Sequence, residues 1–311
     1  MIVPKFFNSK KSVNLYGLSE NFIFLRNLYK MKIFPKVLML SGKKGSGKST
    51  LINHLMFSIF DSQNYDENNN KLNDISSFYN QFLNNMFPNI INLSGSDYKN
   101  IKIEDIRILK KKIFQTVISN QPRFIVFDDV ELFNNNSLNA LLKIIEEPSK
   151  NNYFILINNN SKPLLDTIKS RCMDIKIILN EDKRNNIIKS IINELNIKLT
   201  IDPKNSKLSP GNFIKFNNIL SENKIDIKSD YLTNLGILLN LYKKDKDMIF
   251  VDIILFLTDE YLNVLQKKRV FSTSKSIEYK KFIFRSINDF FLYNLNQNAL
   301  LNNISTKINY E

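Results

Sequence analysis

The chain of 311 residues contains one cysteine and one histidine. A single cysteine excludes an intramolecular disulfide framework and suits a reducing, cytoplasmic setting. Cys172 and His54 together fall short of the four thiolate or imidazole ligands of a closed structural zinc site, so no zinc site is expected. Long apolar runs are scarce too. The opening MIVPKFFNSKK turns charged too early for a secretory leader, and the run at 248–257 is interrupted by Asp252 and too short to span a bilayer. A soluble, cytoplasmic protein that makes no use of a membrane is expected. Apolar content as such is ordinary: 43% of residues are hydrophobic, and the length suffices for two or three compact domains.

Charge of one sign is in excess, with a formal net charge of +14. Clustered Lys and Arg gain from counterion release on a phosphate backbone, which favours DNA as a neighbour. The Lys-, Asn- and Ile-rich usage also runs through the whole chain, as a biased base composition would produce, and the excess then becomes solvated surface. Both readings stand. The basic runs at 110–112, 243–244 and 267–269 read as exposed helix faces.

Against these absences one segment is complete. Residues 36–50, KVLMLSGKKGSGKST, hold a full G-x-x-x-x-G-K-[ST] pattern between an apolar strand (36–40) and a helix (49–60). Gly42, Gly45 and Gly47 let the backbone turn tightly and aim its N–H groups at phosphate oxygens. Lys43, Lys44, Ser46 and Thr50 complete the binding stretch. Lys48 is placed to reach the outer phosphates and Ser49 to ligate Mg²⁺. Further on, 124–127 is a short apolar run ending in Asp128 and Asp129, as a buried parallel strand would deliver a carboxylate to its C-terminal edge. Asp128 is the expected Mg²⁺-orienting acid, and the expected ligand is ATP or ADP with Mg²⁺.

Short apolar strands at 36–40, 90–93, 124–127, 153–157 and 175–178 alternate with helical patterns up to about residue 179. This predicts an α/β domain with a parallel sheet flanked by helices. Within it, the Asn-rich tract at 61–85 has few apolar residues and reads as a mobile insertion, so removing 62–71 is expected to leave folding intact. Residues 180–222 read as a small helical lid around Pro203, Pro210 and Gly211. From 223 to 311 the pattern is all helical, with apolar faces at 231–241, 248–265 and 277–292.

Several stretches are similar to one family, the bacterial replication clamp loaders of the AAA+ P-loop class, in their delta-prime branch. Residues 139–148, NALLKIIEEP, resemble the family's NALLK-x-LEEP helix, and Ser170-Arg171-Cys172 its SRC motif. Leu15-Tyr16-Gly17 looks like the family's approach to the adenine pocket, 101–109 (IKIEDIRIL) like a helix start, Ser209-Pro210-Gly211 like the lid turn, and 294–301 (NLNQNALL) like a segment of delta-prime collars. The resemblance implies an AAA+ domain, a helical lid and an all-α collar that holds five subunits in a ring. It implies gamma/tau and delta subunits as partners in a hetero-pentamer, together with the sliding clamp and primed DNA. Arg171 would enter the neighbouring subunit's site as a trans-acting arginine finger; the other reading pairs it with a local carboxylate such as Asp174. Asn158 would be a sensor near the γ-phosphate, or simply part of an Asn-rich turn.

Three departures bear on function. Asp129 stands where an active loader carries Glu, a degenerate catalytic acid one methylene shorter. Asn212 stands where active loaders hold a phosphate-sensing arginine, and it offers no charged fork. The tract at 61–85 replaces the four-cysteine zinc module of many relatives. The expected function is therefore a stator that binds nucleotide, hydrolyses it poorly if at all, and lends Arg171 to a neighbour. The alternative is an active gamma/tau-like loader ATPase or a related DNA-remodelling AAA+ protein.

Overall fold

The computed structural model describes residues 8–95, 121–267 and 273–309. The IKIEDIRIL segment and the basic run at 110–112 lie outside the described residues, as does most of the run at 267–269. The chain divides into two compact units, one of residues 2–197 with 203–215, the other of 198–202 with 216–311.

The first unit opens with α1 (Ser19–Lys30), β1 (Val37–Ser41) and α2 (Lys48–Phe60). A hairpin of β2 (Tyr65–Asp66) and β3 (Lys71–Leu72), α3 (Ser77–Leu83), β4 (Ile90–Ser94) and β5 (Arg123–Asp128) follow. Then come α4 (Asn135–Ile145), β6 (Asn152–Asn158), α5 (Asp166–Lys169), β7 (Met173–Lys176) and α6 (Glu181–Leu195). The strands form a five-stranded parallel sheet in the order β4-β5-β6-β1-β7. Parallel strands covered on both faces alternate between two buried sides. Leu38, Leu40, Phe124, Val126, Ile155 and Ile157 meet α1, α2 and the hairpin on one side. Met39, Ile125, Phe127, Phe154 and Leu156 meet Leu138, Leu141 and Ile145 of α4 on the other. This is the expected AAA+ P-loop sheet.

Two expectations are corrected. The tract at 61–85 is not a loose insertion: Tyr65, Leu72, Phe78, Tyr79 and Phe82 are buried in the same core as α1 and α2. Tyr65 OH bonds His54 Nδ1 at 3.1 Å, and the backbone N–H of Leu72 donates to Val13 O at 3.0 Å. Averaged composition hid five spaced large apolar side chains among the asparagines. The last strand is Met173–Lys176, two residues before the apolar run at 175–178. Its parallel register on β1, Leu38↔Met173 to Ser41↔Lys176, fixes it there, and Ile178 is left 78% exposed.

The second unit is helical among its described residues, with α8 (Tyr231–Asp245), α9 (Met248–Lys267), α10 (Thr273–Tyr293) and α11 (Gln297–Asn309). Helix α7 (Pro210–Glu222) contributes its first turns to the first unit and the remainder to this one. Tyr231 stacks on Tyr261 with ring centroids 4.4 Å apart and bonds Thr258 at 2.8 Å. The buried Asn217 side chain accepts from the N–H groups of Thr200 and Ile201, at 2.7 and 3.0 Å, and donates to Lys198 O at 2.8 Å. No described helix is long and apolar enough to cross a membrane.

Candidate functional site

The loop between β1 and α2 has the backbone that its glycines predict. Gly45 and Gly47 have φ of +79° and +92°, a left-handed region that L side chains rarely adopt. A side chain at Gly42 would strike Ile177 O at 2.4 Å. Lys48, at the start of α2, is buried, and its ammonium donates to Gly42 O at 2.7 Å and Lys43 O at 2.8 Å. Burial lowers its pKa to about 8, against the opposing pull of the Asp128, Glu131 and Asp129 charges. Ser49 Oγ donates to Asp128 Oδ2 at 2.8 Å. Burial and then the neighbouring Asp129 charge push the Asp128 carboxyl up, while the Ser49 bond and Lys48 hold it back.

The site is closed on one side by the Ser209-Pro210-Gly211 turn. Ser209 Oγ donates to Lys44 O at 2.5 Å, Gly211 N–H to Gly45 O at 2.8 Å, and Lys43 Nζ to Lys207 O at 3.0 Å. A Cβ on Gly45 would come within 2.8 Å of Asn212, so this asparagine stands directly against the phosphate loop. The turn is held from below by Arg184 of α6, which is buried without a carboxylate partner among its recorded contacts. Its guanidinium donates to Leu208 O at 2.9 Å, Pro203 O at 3.1 Å and Ser206 O. Beside the loop, Tyr16, Gly17, Asn186 and Ile187 line a cleft of about 330 Å³. Gly17 is required there, since a Cβ would sit 2.4 Å from Ile187 Cδ1.

The acidic side has more members than the sequence indicated. Asp129 takes the left-handed backbone with φ 51°, and its Oδ1 accepts from Asn159 Nδ2 at 2.6 Å. Asn158 is buried, and its Oδ1 accepts from Asn160 N–H at 2.9 Å. Asn159, rather than Asn158, is therefore the residue recorded against the acid pair. Glu131, two positions past the pair, is also buried. Its Oε1 accepts from Asn159 N–H at 3.1 Å and from Ser161 Oγ at 2.8 Å. Glu131, Asn159 and Arg184 were all passed over in the sequence, where only a carboxylate closely following the Asp pair hinted at the first.

Arg171 stands elsewhere. It precedes Met173, which pairs with Leu38 at the start of β1, whereas the phosphate loop follows Ser41 at the other end. A strand rises about 3.3 Å per residue, so most of the sheet's height separates Arg171 from its own loop. Its guanidinium donates to Thr167 O at 2.8 Å and pairs with Glu146 Oε1 at 2.7 Å, both side chains being partly exposed. The local carboxylate is Glu146; Asp174 instead accepts from Ser41 Oγ at 2.7 Å. Burial, with the Asp174 charge behind it, pushes the Cys172 thiol up to about 12, so this cysteine is no thiolate at neutral pH.

A phosphate loop at the end of the central β1, an acid from β5 and covering helices define a P-loop domain of the AAA+ kind. The family model described as "DNA polymerase III, delta subunit" matches residues 18–203, and the chain belongs to this family of clamp-loader subunits. It is 33% identical over 120 residues to the DNA polymerase III subunit delta' of Buchnera aphidicola subsp. Schizaphis graminum, covering 36% of each protein. It is 31% identical over 137 residues to subunit gamma of the same organism, covering 41% of this chain and 38% of the relative. These matches span little more than a third of the curated relatives' length. Among solved structures, a gamma subunit-related protein of Thermotoga maritima is similar at 14% identity with a TM-score of 0.47, covering 91% of this chain and 96% of that one.

Proposed function

We propose that this chain is a delta-prime-like stator of the DNA polymerase III clamp loader, which binds ATP or ADP with Mg²⁺ and lends Arg171 to the adjoining ATPase subunit. The observation that carries it is the placement of Arg171 at the sheet edge away from its own phosphate loop. Loop N–H groups, the positive end of α2 and Lys48 receive the phosphates. Ser49 and Asp128 offer two oxygen donors 2.8 Å apart, a chemistry that fits a hard cation alongside phosphate oxygens. Bound there, Mg²⁺ would neutralise charge on the outer phosphates. The cleft at Tyr16 and Gly17 takes the base. Asn212 against the loop supplies no charge, which favours retention of nucleotide without sensing of its γ-phosphate.

In this reading residues 1–179 form the nucleotide-binding domain, 180–222 its lid and 223–311 the collar. Gamma/tau and delta subunits complete the pentamer that opens the sliding clamp on primed DNA. The guanidinium of Arg171 completes a neighbour's site, where such fingers accelerate phosphoryl transfer by roughly 10³ to 10⁵. The second reading, a gamma/tau-like motor, draws on the intact Ser49–Asp128 pair and on the similarity to a gamma subunit. Copurification with partner subunits, identification of the retained nucleotide and ATPase assay of the isolated chain separate the two. Rapid multiple turnover by the chain alone favours the motor.

A further inference from the structure

Of the acids that follow β5, the third has the build of a chemical group. Glu131 is only 4% exposed. Its Oε1 is anchored by Ser161 Oγ at 2.8 Å, Asn159 N–H at 3.1 Å and Ser161 N–H at 3.4 Å. Its Oε2 is buried and has no hydrogen-bond donor among the described residues. A buried carboxylate oxygen without a donor is costly, and such groups in native proteins call for a functional explanation. Anchoring one oxygen while the other stays open is the geometry by which a base is held for a reacting water. The charge of Glu131 reaches the site, since it acts on Lys48 alongside those of Asp128 and Asp129. Asp129, by contrast, has its carboxylate engaged by Asn159 at 2.6 Å.

We propose that Glu131, through Oε2, is the carboxylate that orients and deprotonates the attacking water in the slow ATP hydrolysis of this site. The inference rests on the nucleotide-binding reading above. The water oxygen forms a bond to the γ-phosphorus, and the bond from that phosphorus to the β,γ-bridging oxygen breaks, its electron pair leaving with ADP. The water proton passes to Glu131 and then to the phosphate product, so Glu131 is regenerated. Asn159 is the positioning residue, because its backbone fixes Glu131 while its amide holds Asp129 aside.

The test uses the full chain, with Glu131→Gln, Glu131→Asp and Asp129→Asn, in single-turnover ATP hydrolysis and in calorimetry with ATP·Mg²⁺ and with ADP plus aluminium fluoride. Gln retains an oxygen for the Asn159 and Ser161 donors but cannot take a proton. Glu131→Gln is expected to slow hydrolysis by about tenfold to a hundredfold, more than Asp129→Asn does, and to weaken ADP–aluminium fluoride binding more than ATP binding. Glu131→Asp gives a smaller loss in the same direction and replaces Gln if that variant fails to fold. Hydrolysis at the wild-type rate in Glu131→Gln, or a larger loss in Asp129→Asn, overturns the inference. So does a wild-type chain that binds ATP and never cleaves it, which leaves the nucleotide-binding reading intact. A wild-type chain that binds no ATP removes that reading itself.

Discussion

Lys48 and His54 are both buried titratable groups on one helix, and they carry opposite kinds of information. Lys48 faces carbonyls of the phosphate loop, and burial brings its pKa to about 8. ATP phosphates favour the charged amine, so below pH 8 this group adds no proton linkage, while above it binding must take up a proton. Calorimetry in buffers of different ionisation enthalpy should find uptake at pH 9 and little at pH 7, with affinity falling by at most about tenfold per pH unit. Lys48→Ala removes the charge and should abolish binding; unchanged affinity would end the assignment of the loop. His54 bonds Tyr65 OH and Ser12 O, and burial lowers its pKa to about 4. The unfolded chain then binds the proton first as pH falls below 6.5. Stability should drop between pH 6.5 and 4, by up to about 1.4 kcal/mol per unit. Urea titrations at pH 7 and 5 should show this slope in wild type and lose it in His54→Gln.

At the scale of elements, the hairpin and α3 are structural members of the core. Tyr65 is buried against Phe22, with ring centroids 5.2 Å apart, and touches His54. Tyr65→Ala should therefore cost about 3 kcal/mol or more, and deletion of 62–71 should lower the melting temperature sharply. A melt unchanged by the deletion would contradict this packing. The episode shows what was legible in the sequence. The phosphate loop, the β5 acid and the strand alternation follow from local chemistry: glycines where φ is positive, and apolar runs where a strand is covered on both faces. What escaped depends on partners distant in sequence. The core role of Tyr65 requires α1 and α2, the position of β7 is set by register on β1, and the value of Glu131 arises only where the loop at 159–161 folds back over it. The SRC arginine was legible as a motif, yet its contact with Glu146 was not.

On the scale of the whole molecule, the account separates where nucleotide is held from where Arg171 acts. The pair with Glu146 is partly exposed, and such pairs contribute only about 0–1 kcal/mol, so a phosphate group on a neighbour can displace it. Arg171→Ala should leave the chain's own ATP affinity nearly unchanged in calorimetry, because the guanidinium stands at the opposite edge of the sheet from the loop. The decisive measurement is ATP turnover and clamp loading by reconstituted complexes carrying wild-type or Arg171→Ala subunit, with assembly checked by size-exclusion chromatography. The account predicts an assembled mutant complex whose DNA- and clamp-stimulated turnover is strongly reduced, by about 10³-fold or more at the adjoining site. An assembled mutant complex that hydrolyses ATP at the wild-type rate would make Arg171 a structural partner of Glu146 and contradict the stator reading.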